Sequence, residues 1–301
     1  MSGTVQYNLE RARKPFRYYR NAVSRHWDPE EIDLDVDRER LAGYDFDDLE
    51  RDFDYFRQGL ALFGAGEESV TEDLAPLQMV LEDIEDEMFV STQIYEEAKH
   101  TEFFDRYWRE VVNPVEETLG LEASSPRDDH YFTPSYVELF DRNQAAMERL
   151  LDDDTPENRV RAHAHYHLVI EGILAQTGYY GLHNNFGPDI DAYPHLPGLV
   201  EGFANIRSDE GRHVGYGMYR IKHHVTEDEV ALEVLNDTVN ELMPLTQGIV
   251  EESTRDDLED GVTREDLAAF AAEKHSERME QITSVDDDLP DVDELTEIET
   301  V

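Results

Sequence analysis

Four apolar helical stripes, each broken by a glutamate, constrain this chain more than anything else in it. Phe53, Phe56, Leu60, Phe63, Glu67, Val70, Leu74 and Leu77 follow one another at steps of three or four, the spacing that puts residues on one face of an α-helix. The same period runs through Val90, Ile94, Glu97, Thr101, Phe104 and Trp108, and through Val160, Ala164, Leu168, Glu171, Ala175, Gly178 and Leu182. A fourth stripe is Leu199, Phe203, Ile206, Glu210, His213, Gly217 and Ile221. No period-2 run of β-branched residues competes with this pattern, so the fold class is all-α.

A carboxylate on an apolar face costs several kcal/mol unless it is paired or takes up a proton, and four together repel one another besides. Something cationic must sit among them. None of the stripes carries an arginine on the same face, whereas two carry a histidine three residues after the glutamate, His100 after Glu97 and His213 after Glu210. On a helix that spacing aims an imidazole and a carboxylate at a common point, the ligand pair of dimetal carboxylate bundles. Of the 12 histidines, His100 and His213 alone have a glutamate at that offset. His163, His165 and His167 are read as solvated or hydrogen-bonded, because four glutamates and two histidines already complete a dinuclear site.

Turn signals at Asn113-Pro114, Thr133-Pro134, Asp154-Thr155-Pro156 and Gly187-Pro188 predict helices over roughly 46–82, 84–112, 134–152, 156–185, 196–224, 226–253 and 263–283. Residues 1–45 read as an N-terminal arm without long helices, 46–284 as one helical domain, and 285–301 as an acidic tail with little to bury.

The formal net charge of -45 repels a polyanion, so nucleic acid is not an expected partner. Only Lys14, Lys99, Lys222 and Lys274 are lysines, and so large an acid excess favours a halophilic setting where salt screens charge to within about 3–10 Å. Without cysteine there is no disulfide, thiolate site or thiol nucleophile, and any metal must bind through Glu, Asp or His. Neither a secretory signal nor 18 consecutive apolar residues occurs, so the expected location is cytoplasmic, with no membrane span.

The segments Gly66-Glu67-Glu68-Ser69-Val70-Thr71, Glu96-Glu97-Ala98-Lys99-His100-Thr101, Glu171 to Tyr179 and Asp209-Glu210-Gly211-Arg212-His213 closely resemble those of the ligand-binding oxidases related to ribonucleotide reductase small subunits. The resemblance covers roughly residues 45–225. It implies a ferritin-like four-helix core with additional helices, a manganese/iron cofactor (iron/iron as the alternative) and a long-chain fatty acid over the metals. It further implies dioxygen as oxidant and a homodimer. Carried over, Glu67 and His100 hold the first metal, Glu171, Glu210 and His213 the second, and Glu97 bridges. The same resemblance makes Val70 and Tyr166 an ether cross-link pair and puts Tyr179 beside the organic ligand. Ideal α-helical geometry does not pair Tyr166 with the site, since five residues turn it by about 140° from Glu171.

Two other functions fit the same motifs. A radical-generating reductase small subunit normally carries a tyrosine four residues after the first histidine, where this chain has Phe104, and another near its C-terminus, where Asp286 to Val301 has none. A ferritin-like storage or detoxification protein needs neither the arm nor the extra helices. Phe63, Val70, Phe104 and Ile206 are the expected apolar wall of the site.

Overall fold

The computed structural model describes residues 9–187, 193–255, 261–284 and 289, and every regular element among them is helical. The helices are α1 (Lys14–Ser24), α2 (Asp35–Ala42), α3 (Leu49–Val80), α4 (Ile84–Tyr107), α5 (Asn113–Leu119), α6 (Pro134–Asp152), α7 (Pro156–His163), α8 (Gln176–Phe186), α9 (Pro197–Thr226), α10 (Leu232–Ser253) and α11 (Arg264–Thr283). Two π-helical segments, Trp108–Val112 and Ala164–Ala175, join α4 to α5 and α7 to α8. α3 packs along α4, α9 packs along the second π segment, and α6, α10 and α11 close around the outside. This is the ferritin-like bundle with additional helices. No helix among the described residues is long and apolar enough to cross a membrane.

The Thr-Pro signals mark helix starts. Thr133 accepts from the Tyr136 amide and Thr155 from the Asn158 amide, each satisfying an orphan donor of the first turn, while proline follows where no amide is needed. Asn113-Pro114 does not end a helix as expected. There the backbone shifts to i→i+5 pairing, with Asn113 N–H bonding Trp108 O, and the helix runs on to Gly120, whose φ of 72° only glycine adopts freely.

The N-terminal residues add Ile32, Leu34 and Leu41 to the main core beside Phe53, Phe103 and Leu199. A buried carboxylate ties them down: Asp37 accepts from the Gly198 and Leu199 amides at 2.9 and 2.7 Å and from Tyr107 Oη at 3.0 Å, capping the start of α9. The expected acidic tail lies outside the described residues apart from Leu289, which packs on the core.

Candidate dimetal centre

The four stripe glutamates converge. Glu67 from α3, Glu97 from α4, Glu171 from the π segment and Glu210 from α9 are at most 7% exposed, and His100 and His213 are 0% exposed. His100 Nδ1 lies 3.3 Å from Glu67 Oε2, 3.2 Å from Glu97 Oε2 and 3.6 Å from Glu210 Oε1. His213 Nδ1 lies 3.0 Å from Glu97 Oε1, 3.2 Å from Glu171 Oε1 and 3.4 Å from Glu210 Oε2. The donors form two groups, Glu67, Glu97, His100 and Glu210, then Glu97, Glu171, Glu210 and His213, with donor atoms of each group within 4.8 Å of one another. Glu210, expected on one side only, belongs to both groups, as Glu97 does.

The second π segment explains how Tyr166 enters the site against the α-helical expectation. With i→i+5 pairing, a residue five positions away returns close to the same face, so Tyr166 and Glu171 point the same way. Tyr166 Oη donates to Glu97 Oε1 at 2.7 Å. Val70 packs in the same buried cluster as Tyr166, and both line one cavity. That cavity runs from Glu67, Glu97, Glu171 and Glu210 past Phe63, Tyr136, Ile170 and Leu174 to Ile249, Val250 and Leu267. Phe63 and Val70 form part of its wall as expected, whereas Phe104 and Ile206 lie in the packed core behind it. Phe104 stacks on Phe63 with centroids 5.9 Å apart.

Tyr179 also lines the cavity, its ring 5.4 Å from that of Phe63 and its hydroxyl buried without a protein partner. Burial, followed by the nearby carboxylates of Glu210, Glu67, Glu97 and Glu171, holds its hydroxyl protonated well above the usual tyrosine range. Gly178 lets α8 lie against Phe63, because a Cβ there would sit 2.4 Å from the ring.

A second layer of charge was not anticipated from the stripes. His100 Nε2 meets Asp209 Oδ2 at 3.2 Å and His213 Nε2 meets Glu96 Oε2 at 2.9 Å, which leaves both Nδ1 atoms facing the glutamates. Buried Arg212 joins Glu96 at 2.5 Å and also pairs with Asp209, while buried Lys99 meets Asp209 at 2.8 Å and Trp27 Nε1 donates to it at 2.8 Å. Their signal is a neighbouring stripe: Phe89, Gln93, Glu96, His100, Phe103 and Tyr107 also step by three and four.

The two layers differ in charge. Arg212 and Lys99 offset Glu96 and Asp209, whereas the four inner glutamates face only two imidazoles. With protons as the sole cations, burial pushes Glu67 up to about 8 and Glu171 well above the usual carboxylate range. Burial pushes Glu97 the same way, but His213 and His100 outweigh it and hold it well below. Both histidines rise well above the usual range against burial, His100 chiefly through Glu67 and His213 chiefly through Glu210. Glu171 Oε2, Glu210 Oε2 and His213 Nδ1 are buried without hydrogen bonds. Lone pairs converging in two groups, four carboxylates with no lysine or arginine among the described residues of the cluster, and only oxygen and imidazole donors fit two divalent cations.

Residues 5–282 match the family model described as ribonucleotide reductase, small chain. Among solved structures, an R2-like ligand-binding oxidase with aerobically reconstituted Mn/Fe cofactor superposes with a TM-score of 0.81 at 28% identity, covering 94% of this chain and 98% of that one. A tyrosine-to-phenylalanine variant of such an oxidase, also with Mn/Fe, gives 0.80 at 28% identity over 94% and 99%. A glycine-to-leucine variant with an Fe/Fe cofactor gives 0.81 at 27% identity over the same shares.

Proposed function

The chain belongs to the ribonucleotide reductase small-chain family, and from that premise we propose that it is a two-metal oxidase that reduces dioxygen beside a bound fatty acid and joins Val70 to Tyr166 by an ether. It is an oxidoreductase of the dimetal type, like the ligand-binding oxidases it superposes on. The observation that carries this reading is the pair of donor groups sharing Glu97 and Glu210, with no other cation among the described residues of the inner cluster. Glu67 and His100 hold one ion, Glu171 and His213 the other, and Glu97 and Glu210 lie between them. By similarity to the solved oxidases the ions are manganese and iron, with two irons as the alternative.

The wall residues support an organic ligand. An apolar channel from Val70 to Leu267 suits an alkyl chain, while the Tyr179 hydroxyl offers a donor at the end nearest the carboxylates. With an alkyl chain filling it, the channel would keep water from the site. Burial, then Glu171, Glu97 and Glu210, keeps the Tyr166 phenol protonated, and its hydrogen bond to Glu97 sets where that hydrogen leaves.

Making the ether breaks one C–H bond of Val70 and the O–H bond of Tyr166, releasing two electrons and two protons. The metal pair, when bound, supplies the other two electrons, and two solvent protons complete the reduction of one O2 to two waters.

The test is aerobic reconstitution with iron and manganese followed by peptide mass spectrometry. The Val70 and Tyr166 peptides are expected as one covalent species lighter than their sum by two hydrogens, and Tyr166→Phe should abolish it while keeping both metals. Peptides that separate after complete oxygen consumption would sink the ether and favour a reductase-like or storage role. Solvent extraction of the purified protein should release a fatty acid.

A further inference from the structure

One buried string of polar groups near the site binds no metal in this scheme. Gln93 on α4 is 0% exposed, and its Nε2 donates to Tyr166 Oη and to Glu171 Oε1, both at 3.3 Å. Its Oε1 faces His167 Nε2 at 3.3 Å, and His167 Nδ1 faces His163 Nδ1 at 3.2 Å. Both histidines are buried, at 0% and 1% exposed.

Donor and acceptor inventory fixes the direction of every link. The Tyr166 hydrogen is committed to Glu97, so its oxygen can only accept from Gln93, and the amide NH2 must face it and Glu171 Oε1. The amide oxygen then faces His167 and requires Nε2–H there. A neutral imidazole has one N–H, so His167 Nδ1 is a lone pair and His163 must donate to it from its own Nδ1. Burial keeps both rings neutral, with His167 pushed down to about 3.

We propose that Gln93 is a positioning residue for the Val70–Tyr166 cross-link, held in its productive orientation by the hydrogen-bonded His163–His167 pair. This rests on the ether-forming reading above. Of the two hydrogen bonds at Tyr166 Oη, the one given to Glu97 ends when the hydroxyl hydrogen leaves. The one accepted from Gln93 does not, since an ether oxygen still has lone pairs. Gln93 therefore holds the oxygen in place throughout bond formation, and the same amide fixes Glu171 beside it.

The experiment uses full-length protein in two states. In metal-free protein, 15N-imidazole NMR should show His167 protonated on Nε2 and His163 on Nδ1; the reverse tautomer at His167 would overturn the string. In protein loaded aerobically with iron and manganese, Gln93→Leu should retain both metals but form the cross-link about tenfold more slowly. His167→Gln, whose amide can still donate to Gln93, should stay near the wild-type rate, whereas His167→Leu should fall towards Gln93→Leu. This rescue keeps the proposal testable if Gln93→Leu folds poorly, and equal rates in the two His167 variants would also overturn it. Wild-type protein that loads both metals without cross-linking would overturn the ether reading and this role together. Wild-type protein that cross-links no faster than a folded Gln93→Leu variant would overturn only the role of Gln93.

Discussion

The inner glutamates and the Glu96–Asp209 layer behind them are equally buried and chemically alike, yet the protein answers their charge in opposite ways. Arg212, at 0% exposure, and Lys99, at 3%, stand against Glu96 and Asp209, so that layer is complete as a folded unit. Glu67, Glu97, Glu171 and Glu210 meet only His100 and His213, whose outer nitrogens are already engaged. A buried acid with its own cation is scaffold, and a buried acid without one is a place for a cation from outside. Sequence position barely separates the two, since Glu96 adjoins Glu97 and Asp209 adjoins Glu210.

The sharpest way to break this contrast is to remove a cationic partner from each layer. Arg212→Met takes the cation from Glu96, while Asp209 keeps Lys99, and should destabilise the metal-free protein by about 3–5 kcal/mol in denaturant titration. His213→Ala should cost the metal-free protein less, because the inner glutamates can take up protons in its place, while lowering bound metal and oxygen consumption together. Equal loss of stability in both variants would show that the inner cluster is scaffold too, and unchanged metal stoichiometry in His213→Ala would remove that residue from the ligand set.

A pH series separates the layers next. Glu67 titrates at about 8 in the metal-free fold against 4.5 ordinarily, and His100 and His213 are also raised, so the folded state holds protons more tightly than the unfolded chain. Their stabilisation is present in full below the ordinary values and is lost as pH rises. Metal-free protein should therefore lose stability from about pH 6.5 to 8, above the range in which the lowered His163 and His167 act the other way, and bound metal should flatten that decline. Asp209 acts oppositely: burial raises it, but His100, Arg212 and Lys99 together hold it far below the usual carboxylate range, so its contribution is lost only in strong acid. A metal-free stability that rises steadily across pH 5–8 would contradict the charge assignment.

Much of the site was legible because the α-helical period is rigid. Glu67, Glu97 and Glu210 lie on regular helices, where steps of three and four translate directly into a shared face. Tyr166 was not readable that way, because Ala164–Ala175 is π-helical and shifts which residues share a face. Nothing in composition announces that segment, which is surrounded by core on nearly every side. The Arg212 layer escaped for another reason: a helix buried on a broad arc carries two adjacent stripes, and the apolar one hides the polar one.

Asp73 offers a third way of answering a buried acid and the smallest effect. It sits 7% exposed on α3, one turn beyond Val70, with only the Asn143 amide donating to it at 2.8 Å. Burial outweighs that hydrogen bond and, with Glu148 and Glu72 nearby, lifts its carboxyl to about 6, so its contribution is present below its ordinary value of 3.8 and lost as pH rises through 6. Asn143 Oδ1 meanwhile has no hydrogen-bond partner. In Asp73→Asn the new amide keeps an acceptor for Asn143 Nδ2 and can donate to Asn143 Oδ1, while the charge disappears. Chemical denaturation should show a gain of about 1–2 kcal/mol at pH 8 that vanishes near pH 4, with metal content and oxygen consumption unaltered. A loss of bound metal in Asp73→Asn would mean that this acid belongs to the inner cluster's charge balance after all, and the division by local partners would then be too coarse.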